Sequence, residues 1–383
     1  MNRRRIMIAI AVAIIVLGLL AGCGEKIAIP EAVGLFSVSA YLDYGEFLDA
    51  GARQLAVANN VLYVVGDDQS LTKRNLQYDE IERLDGLDDP VAVCTDEGDD
   101  IIFVWEAGAG RLSAWSSRDF APLGAAELPD VQSANHLAAC AAGVDEASPG
   151  AITYVYIADP DSAVVHRYAW YEGGTAVPVG ILCRDGGLST RSVHQPAGMF
   201  VDNESKMYVC ETDPMRNWVH RFDPAPDQTD VTPAPDDSDP WRGTVILIAA
   251  ATCVPPVEAD FVLGDAPECN EADWVGGASD VEGAFDAPVA VAGDGQGWLY
   301  VADSGNSRVQ IFDENGAYEL QFGNTELTPA PVSVGVIDHL INSTTTNYGA
   351  FVFVVSGDTG AVYKFISYDH YLAVHSEPPP DQP

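Results

Sequence analysis

The sequence predicts an all-β fold, a six-bladed β-propeller of four-stranded antiparallel blades, for most of its 383 residues. A short strand centred on an aromatic residue recurs six times. The intervals are roughly 40 to 50 residues with one longer gap, a period typical of propeller blades. Runs rich in Val, Ile and Tyr alternate with turns rich in Gly, Asp, Asn and Ser, as in short antiparallel strands. The six aromatic anchors are Tyr63, Phe103, Tyr156, Tyr208, Tyr300 and Phe353.

The copy around Tyr300 shows the blade pattern most clearly. It predicts strands at residues 289–292, 298–302, 308–312 and 318–322, separated by polar turns. Most copies begin their first strand with a proline or a small residue, and proline is tolerated there because this position need not donate to the ladder. Because one blade cannot bury both faces of its sheet, the copies are expected to stack around an axis.

The longer gap lies between the fourth and fifth anchors. Residues 224–284 are predicted to be a long loop insertion, because residues 224–243 are rich in Pro and Asp. Within the insertion, residues 244–250 would supply the fourth strand of the fourth blade. The alternative is a seventh blade hidden in this gap.

The ends of the chain are expected to close the ring. Residues 35–42 are predicted to form a strand that pairs with the last blade near residues 368–374, which would remove an open sheet edge. The predicted propeller domain therefore spans residues 35–375. The Pro-rich residues 376–383 are predicted to be a disordered tail.

The first residues have the features of a secretory signal. Three arginines at positions 3–5 precede the apolar residues 6–20, a stretch shorter than the roughly 20 residues of a spanning helix. Leu20-Ala21-Gly22-Cys23 then resembles the lipobox of bacterial lipoproteins. This resemblance implies cleavage after residues 1–22, acyl chains such as palmitate on Cys23, and a tether over residues 23–34. An uncleaved signal anchor is the alternative.

The predicted location is the cell envelope, outside the cytoplasm. Membrane attachment would run through the lipid on Cys23. Gly24 follows the cysteine, where an aspartate would suggest retention at the inner membrane, so the outer membrane is expected.

The charge balance excludes one class of partner. The chain has 57 acidic and 19 basic residues and a net charge of −38, which repels nucleic acid. The Asp-rich loops would hold calcium if they hold any ion, and a generally acidic surface is the alternative. No other cofactor is predicted, no metal is assigned, and no phosphate-binding or nucleophile motif occurs.

Six cysteines remain if Cys23 carries lipid. An even number in an oxidising compartment predicts disulfides, although the sequence allows fifteen pairings. Cys253 and Cys269 lie close together within the long insertion and are the first candidates for a pair.

Residues 300–312, Tyr-Val-Ala-Asp-Ser-Gly-Asn-Ser-Arg-Val-Gln-Ile-Phe, resemble an NHL repeat. The resemblance implies a six-bladed propeller and says little about activity, because this fold hosts many functions. An acidic residue follows four of the six anchors by three positions. It is predicted to cap backbone N–H groups of the turn between the second and third strands, and a ring of carboxylates facing cations is the alternative. The turn residues of the repeat motif are Asp303, Gly305, Asn306 and Arg308.

His136 and His194 stand at the starts of first strands, which open near the axis of a propeller. They are the candidate ligand-binding residues of the central channel. No catalytic residue is assigned. The predicted function is a membrane-anchored binding module for a protein, peptide or glycan. The alternative is a metal-assisted lyase or hydrolase that acts in the channel.

Overall fold

The computed structural model describes residues 41–47, 51–96, 98, 100–141, 150–182, 193–202, 206–214, 217–222, 245–248, 278, 280–313, 316–342 and 347–367. These residues form 24 strands in six four-stranded antiparallel sheets and contain no helix. The predicted fold class, a six-bladed propeller, is confirmed. None of the described residues forms a helix of the length and apolarity that crossing a bilayer requires.

Each blade has four strands, numbered here in chain order and given from the axis outward. Blade 1 consists of β2 (Ala52–Ala58), β3 (Val61–Gly66), β4 (Ser70–Arg74) and β5 (Glu80–Asp85). Blade 2 consists of β6 (Pro90–Thr95), β7 (Ile101–Glu106), β8 (Arg111–Ser116) and β9 (Pro122–Glu127). Blade 3 consists of β10 (His136–Ala141), β11 (Thr153–Asp159), β12 (Val164–Tyr171) and β13 (Thr175–Leu182).

Blades 4 to 6 follow the same plan. Blade 4 consists of β14 (Pro196–Val201), β15 (Met207–Glu211), β16 (Trp218–Phe222) and β17 (Val245–Ile248). Blade 5 consists of β18 (Pro288–Gly293), β19 (Leu299–Asp303), β20 (Arg308–Phe312) and β21 (Tyr318–Phe322). Blade 6 consists of β22 (Pro331–Asn342), β23 (Asn347–Ser356), β24 (Val362–Ser367) and, outermost, β1 (Tyr41–Phe47).

The core lies at the junctions between neighbouring blades. The second strand of a blade is covered on both faces, so β7 and β11 are buried at every position. The outer strands β5 and β9 are only partly covered, and they alternate between half-buried and exposed residues. The six aromatic anchors belong to the largest fully buried side chains. A run of aromatic and β-branched residues therefore forms the second strand because each of its two faces meets a neighbouring sheet.

The blade around Tyr300 matches its prediction closely, with strands at β18, β19, β20 and β21. The long insertion contributes β17, which pairs with β16 and completes blade 4, as residues 244–250 were expected to do. No sheet of a seventh blade occurs among the described residues.

The ring is closed by a strand from the N-terminal side of the chain. This strand, β1, includes Tyr41 and Leu42 of the predicted segment and pairs with β24 in the last blade. The other predicted residues of this pairing, 35–40 and 368–374, lie outside the described residues.

Tyr41 also ties the closing strand to blade 5. Its hydroxyl lies 2.7 Å from the hydroxyl of Tyr300, which donates to Asp294 Oδ2 at 3.2 Å. The ring of Tyr41 stacks on Phe322, with centroids 4.9 Å apart. Closure of the ring therefore involves side chains from two blades as well as the ladder with β24.

The cysteines require a correction. Cys94 and Cys210 are buried free thiols, so a disulfide framework that includes all six remaining cysteines does not form. Both lie on strands that pack inside blade junctions, where each thiol acts as a small apolar group. Cys253, Cys269 and the lipidation candidate Cys23 lie outside the described residues.

Candidate functional site

The acidic residues at the ends of the second strands have no exposed surface. They are Glu106, Asp159, Glu211 and Asp303. Each accepts a backbone N–H from the segment that leads into the first strand of its own blade, for example from Asp88 at 2.9 Å and from Asp286 at 2.7 Å. The predicted donors from the turn after the second strand are also present. Asp159 accepts the Ser162 N–H at 3.3 Å, and Glu211 accepts the Asp213 N–H at 3.1 Å. The donors from the segment before the first strand were not predicted.

A basic or imidazole side chain from the third strand accompanies Glu106, Asp159 and Asp303. Arg111 donates to Glu106 at 2.7 and 3.0 Å, and His166 Nε2 lies 3.2 Å from Asp159 Oδ2. Desolvation raises the pKa of Glu106, but Arg111 and the Asp88 N–H more than offset it and hold the pKa below its usual value. The carboxylate therefore stays ionised and bonded inside the blade.

The NHL-like residues of blade 5 form one network. Arg308 donates to Asp303 Oδ2 at 2.7 Å and to the carbonyls of residues 280, 281 and 284. Asn306 Nδ2 donates to the same carboxylate oxygen at 2.9 Å. Gly305 is required because a Cβ there would lie 2.4 Å from Asp286 Cγ. The four repeat residues hold the start of the blade in place and do not reach the axis.

The inner strands of all six blades surround an axial cavity of about 320 Å³. This volume lies at the lower end of the range for small-molecule sites, roughly 300 to 1,000 Å³. His136 forms part of the cavity wall. His194 does not line the cavity: its N–H donates to Glu211 Oε2 at 2.6 Å, and its Nδ1 lies 3.2 Å from Asp213 Oδ2. The structure therefore separates the two histidines that the sequence placed together.

His136 is an uncharged group in the cavity wall. The side chain is half-buried, and desolvation lowers its pKa to about 4. A neutral imidazole donates through one ring nitrogen and accepts through the other. A hydrogen bond with the Asn135 backbone acts against this shift in pKa, so at neutral pH His136 presents an uncharged imidazole with one ring nitrogen already engaged.

Gln54 and Ser333 occupy the same register position on the inner strands of blades 1 and 6 as His136 does in blade 3, and this position is called its level below. The sequence analysis did not identify either residue. All three residues pair with the second-strand residue two positions after the anchor, namely Val65, Ala158 and Val355. Ala92 and Ala290 hold this level in blades 2 and 5. The sequence did contain a signal for them, because each is a polar residue at a position where two other copies have alanine.

The opposite end of the wall is acidic. Asp96 and Asp202 line the cavity just after their first strands end, and no Lys or Arg is among the described residues of the wall. Asp96 Oδ1 accepts the N–H of Ile101 at 2.8 Å, and Asp202 Oδ1 accepts that of Lys206 at 2.8 Å. Within the described part of the chain, no three His, Cys, Asp or Glu side chains are placed to hold a metal ion.

Two of the four lysines of the chain join neighbouring blades, a role the sequence did not reveal. Lys364 Nζ donates to the carbonyl of Leu76 at 2.6 Å, and Lys73 Nζ donates to that of Ser117 at 2.7 Å. Lys364 is the cross-strand partner of the anchor Phe353, and Lys73 is the cross-strand partner of the anchor Tyr63. These cations stabilise the scaffold and do not reach the axis.

No model of a known protein family matches the chain, and no curated protein matches it. Among solved structures, it is similar to a gluconolactonase from Xanthomonas campestris, with a TM-score of 0.50 and 12% identity over 86% of this chain and 90% of that one. A hydrazine synthase from Kuenenia stuttgartiensis gives a TM-score of 0.47 and 12% identity over 82% and 96%. At such identities the likeness shows the fold alone.

Proposed function

We propose that this chain is a lipid-anchored binding module of the cell envelope, whose propeller holds a protein, peptide or glycan. The supporting observation is a division among the polar groups. The repeated carboxylates are fully buried and bonded within the scaffold, whereas Gln54, His136 and Ser333 lie in the wall of the axial cavity. Such an arrangement suits a rigid body that presents surfaces to a ligand.

The position of the closing strand is compatible with a tether on Cys23. Strand β1 is the outermost strand of blade 6, so a preceding anchor joins the propeller at its circumference. Fully extended, residues 24–40 would span at most about 60 Å. Both loop faces and the cavity would stay accessible above a membrane.

The anchor is tested with a Cys23→Ser variant of the full chain in bacteria fed labelled palmitate. Wild type should carry the label and sediment with membranes, whereas the variant should lose the label. A Cys94→Ser variant is the matched control and should keep both properties. Full labelling of Cys23→Ser would contradict the anchor.

The binding role is tested with the purified chain on glycan and peptide arrays, together with cross-linking in intact cells. Specific capture by the folded chain, lost after heat unfolding, is the expected result. Failure to retain any array member and to cross-link any envelope component would contradict a binding module.

One observation favours a second function, a metal-assisted lyase or hydrolase in the channel. The uncharged imidazole of His136 is in the protonation state that a metal ligand requires. Elemental mass spectrometry of the purified chain distinguishes the two functions. Stoichiometric zinc or iron that is lost in His136→Ala would favour the enzyme. A metal-free chain that still binds its array ligand would favour the module.

A further inference from the structure

We propose that the axial cavity binds a small, uncharged, hydroxyl-rich compound of about the size of one sugar ring. This inference rests on the proposed binding function and names the ligand class of the cavity. It follows from the hydrogen-bonding groups of the wall, from its charge and from its volume.

Much of the wall is polypeptide backbone. In every blade the inner strand has a single neighbour, so the N–H and C=O groups of alternate residues point toward the axis. Two of these N–H groups are bonded by side chains of the preceding blade. Leu55 N–H donates to Ser333 Oγ at 3.2 Å, and Val93 N–H donates to Gln54 Oε1 at 2.7 Å.

Three equivalent N–H groups have no such side chain beside them. In blades 3, 5 and 6 the equivalent residues are Leu137, Val291 and Val334, each paired with the residue that follows the anchor. The preceding blade offers Ala92, Gly198 or Ala290 in place of Gln54 or Ser333, and none of these has a side-chain acceptor. Among the described residues, no side chain accepts from these three groups.

The close approach of blades 4 and 5 explains the glycine in this set. A Cβ on Gly198 would lie 2.3 Å from Ala290 Cα. No polar side chain fits there, so the neighbouring Val291 N–H stays open to the cavity. Enclosed amide groups require a partner, which a ligand oxygen or water must supply.

Gln54 adds a side-chain donor. Its exposed fraction is only 4%, and the bond to Val93 N–H fixes its oxygen. The amide Nε2 is left facing the cavity and has no partner among the described residues. With His136, the ring at this level supplies donors from blades 1, 3, 5 and 6 and one imidazole acceptor.

Charge selects among the ligands that such a ring would accept. The described residues of the wall include no cationic side chain, Asp96 and Asp202 flank it, and the chain has a net charge of −38, so an anion is repelled. At the level of the open N–H groups, away from Asp96 and Asp202, an ammonium group would meet donors with which it cannot pair. A hydroxyl group accepts from those donors and also donates to backbone carbonyls.

The volume is consistent with this class. The cavity of about 320 Å³ lies at the lower end of the range for small-molecule sites, roughly 300 to 1,000 Å³. This size favours a compound of one six-membered sugar ring over a longer chain.

Titration calorimetry of the full chain tests the proposal with three sets of sugars matched for charge. The probes are glucose, galactose and mannose, each with its amino sugar and its uronate. At least one neutral sugar should bind, and it should bind at least tenfold more tightly than both charged members of its set. The proposal is overturned if no neutral sugar binds or if a charged member binds more tightly.

Two variants locate the site. Gln54→Leu removes the amide donor, and Ala290→Ser adds a hydroxyl that would occupy Val334 N–H as Ser333 occupies Leu55 N–H. Each should weaken sugar binding about tenfold, which corresponds to about 1.4 kcal/mol. Ala290→Ser should do so without lowering the melting temperature. Lys73→Met lies outside the cavity and should leave the affinity unchanged.

Wild-type affinity in both cavity variants would contradict the site. Failure here is distinguishable from failure of the proposed function. A chain that is lipidated on Cys23 and captures an array ligand, but binds no sugar in the cavity, retains the function and refutes the cavity ligand.

Discussion

Two regions of this propeller bury polar groups in opposite ways. At the ends of the second strands, the carboxylates are fully buried and bonded by backbone and side-chain donors of their own blade. Around the axial cavity, Gln54 Nε2, His136 and several backbone N–H groups face space that no described side chain fills. The polar groups are buried in both regions. The scaffold and the candidate site therefore differ in whether those groups have all their hydrogen-bond partners within the chain.

The largest effect is expected in the scaffold, for Arg308→Ala. Arg308 has an exposed side-chain fraction of 7%, and its partner Asp303 has none. Desolvation already raises the pKa of Asp303, against the donors from Asn306, Asp286 and Arg308. Removing the arginine leaves an unpaired buried carboxylate, so the free energy of unfolding in urea should fall by about 3–5 kcal/mol.

Arg111→Ala is the matched control in blade 2. Arg111 bonds both oxygens of the buried Glu106 carboxylate. However, 39% of its side chain is exposed, so water replaces part of the lost interaction. Its loss of stability should be clearly smaller. Equal losses would mean that burial of the arginine does not decide the strength of these pairs.

The scaffold was largely predictable because its signals are local. Alternating turns and β-branched runs fixed the strands of blade 5 to within a residue or two. The closing strand depends instead on a long-range signal, because it pairs with residues more than 300 positions away in the chain.

The candidate site was predictable only in part. His136 stood out as a histidine at the start of a strand, whereas Gln54 and Ser333 look ordinary until the strand registers align them. The open N–H groups cannot be read from side-chain identity at all, because they depend on which residue the preceding blade places beside them. His194 resembled His136 in sequence, but its backbone and ring bond Glu211 and Asp213.

A smaller effect is expected for Lys364→Met, which removes a contact between blades 6 and 1. Loss of the bond to the Leu76 carbonyl should lower the free energy of unfolding by about 1–3 kcal/mol at pH 7. Desolvation lowers the pKa of Lys364 to about 8, below its unfolded value of 10.5. Between these values the unfolded chain binds more protons, so wild-type stability rises with pH relative to the variant.

Urea unfolding of both proteins at pH 7.5 and pH 10 measures this difference. The stability advantage of wild type over Lys364→Met should widen at the higher pH. A constant difference would indicate that Lys364 is as well solvated in the folded chain as in the unfolded one.

The smallest effect belongs to the cavity, for His136→Gln, and it bears directly on the contrast between the two regions. The folded pKa of His136 is about 4 and the unfolded value is 6.5. The unfolded chain therefore binds more protons in this window, and the contribution of His136 to stability is lost as pH falls from 6.5 toward 4. Glutamine keeps hydrogen-bonding capacity without titrating, so the variant should match wild type at pH 7 and lose less stability by pH 5.

Sugar affinity of wild type should persist over the same range, because the imidazole stays neutral. If the two proteins lost stability in parallel on acidification, His136 would be solvated like a surface histidine, and the cavity wall would not be the desolvated region that a binding site requires.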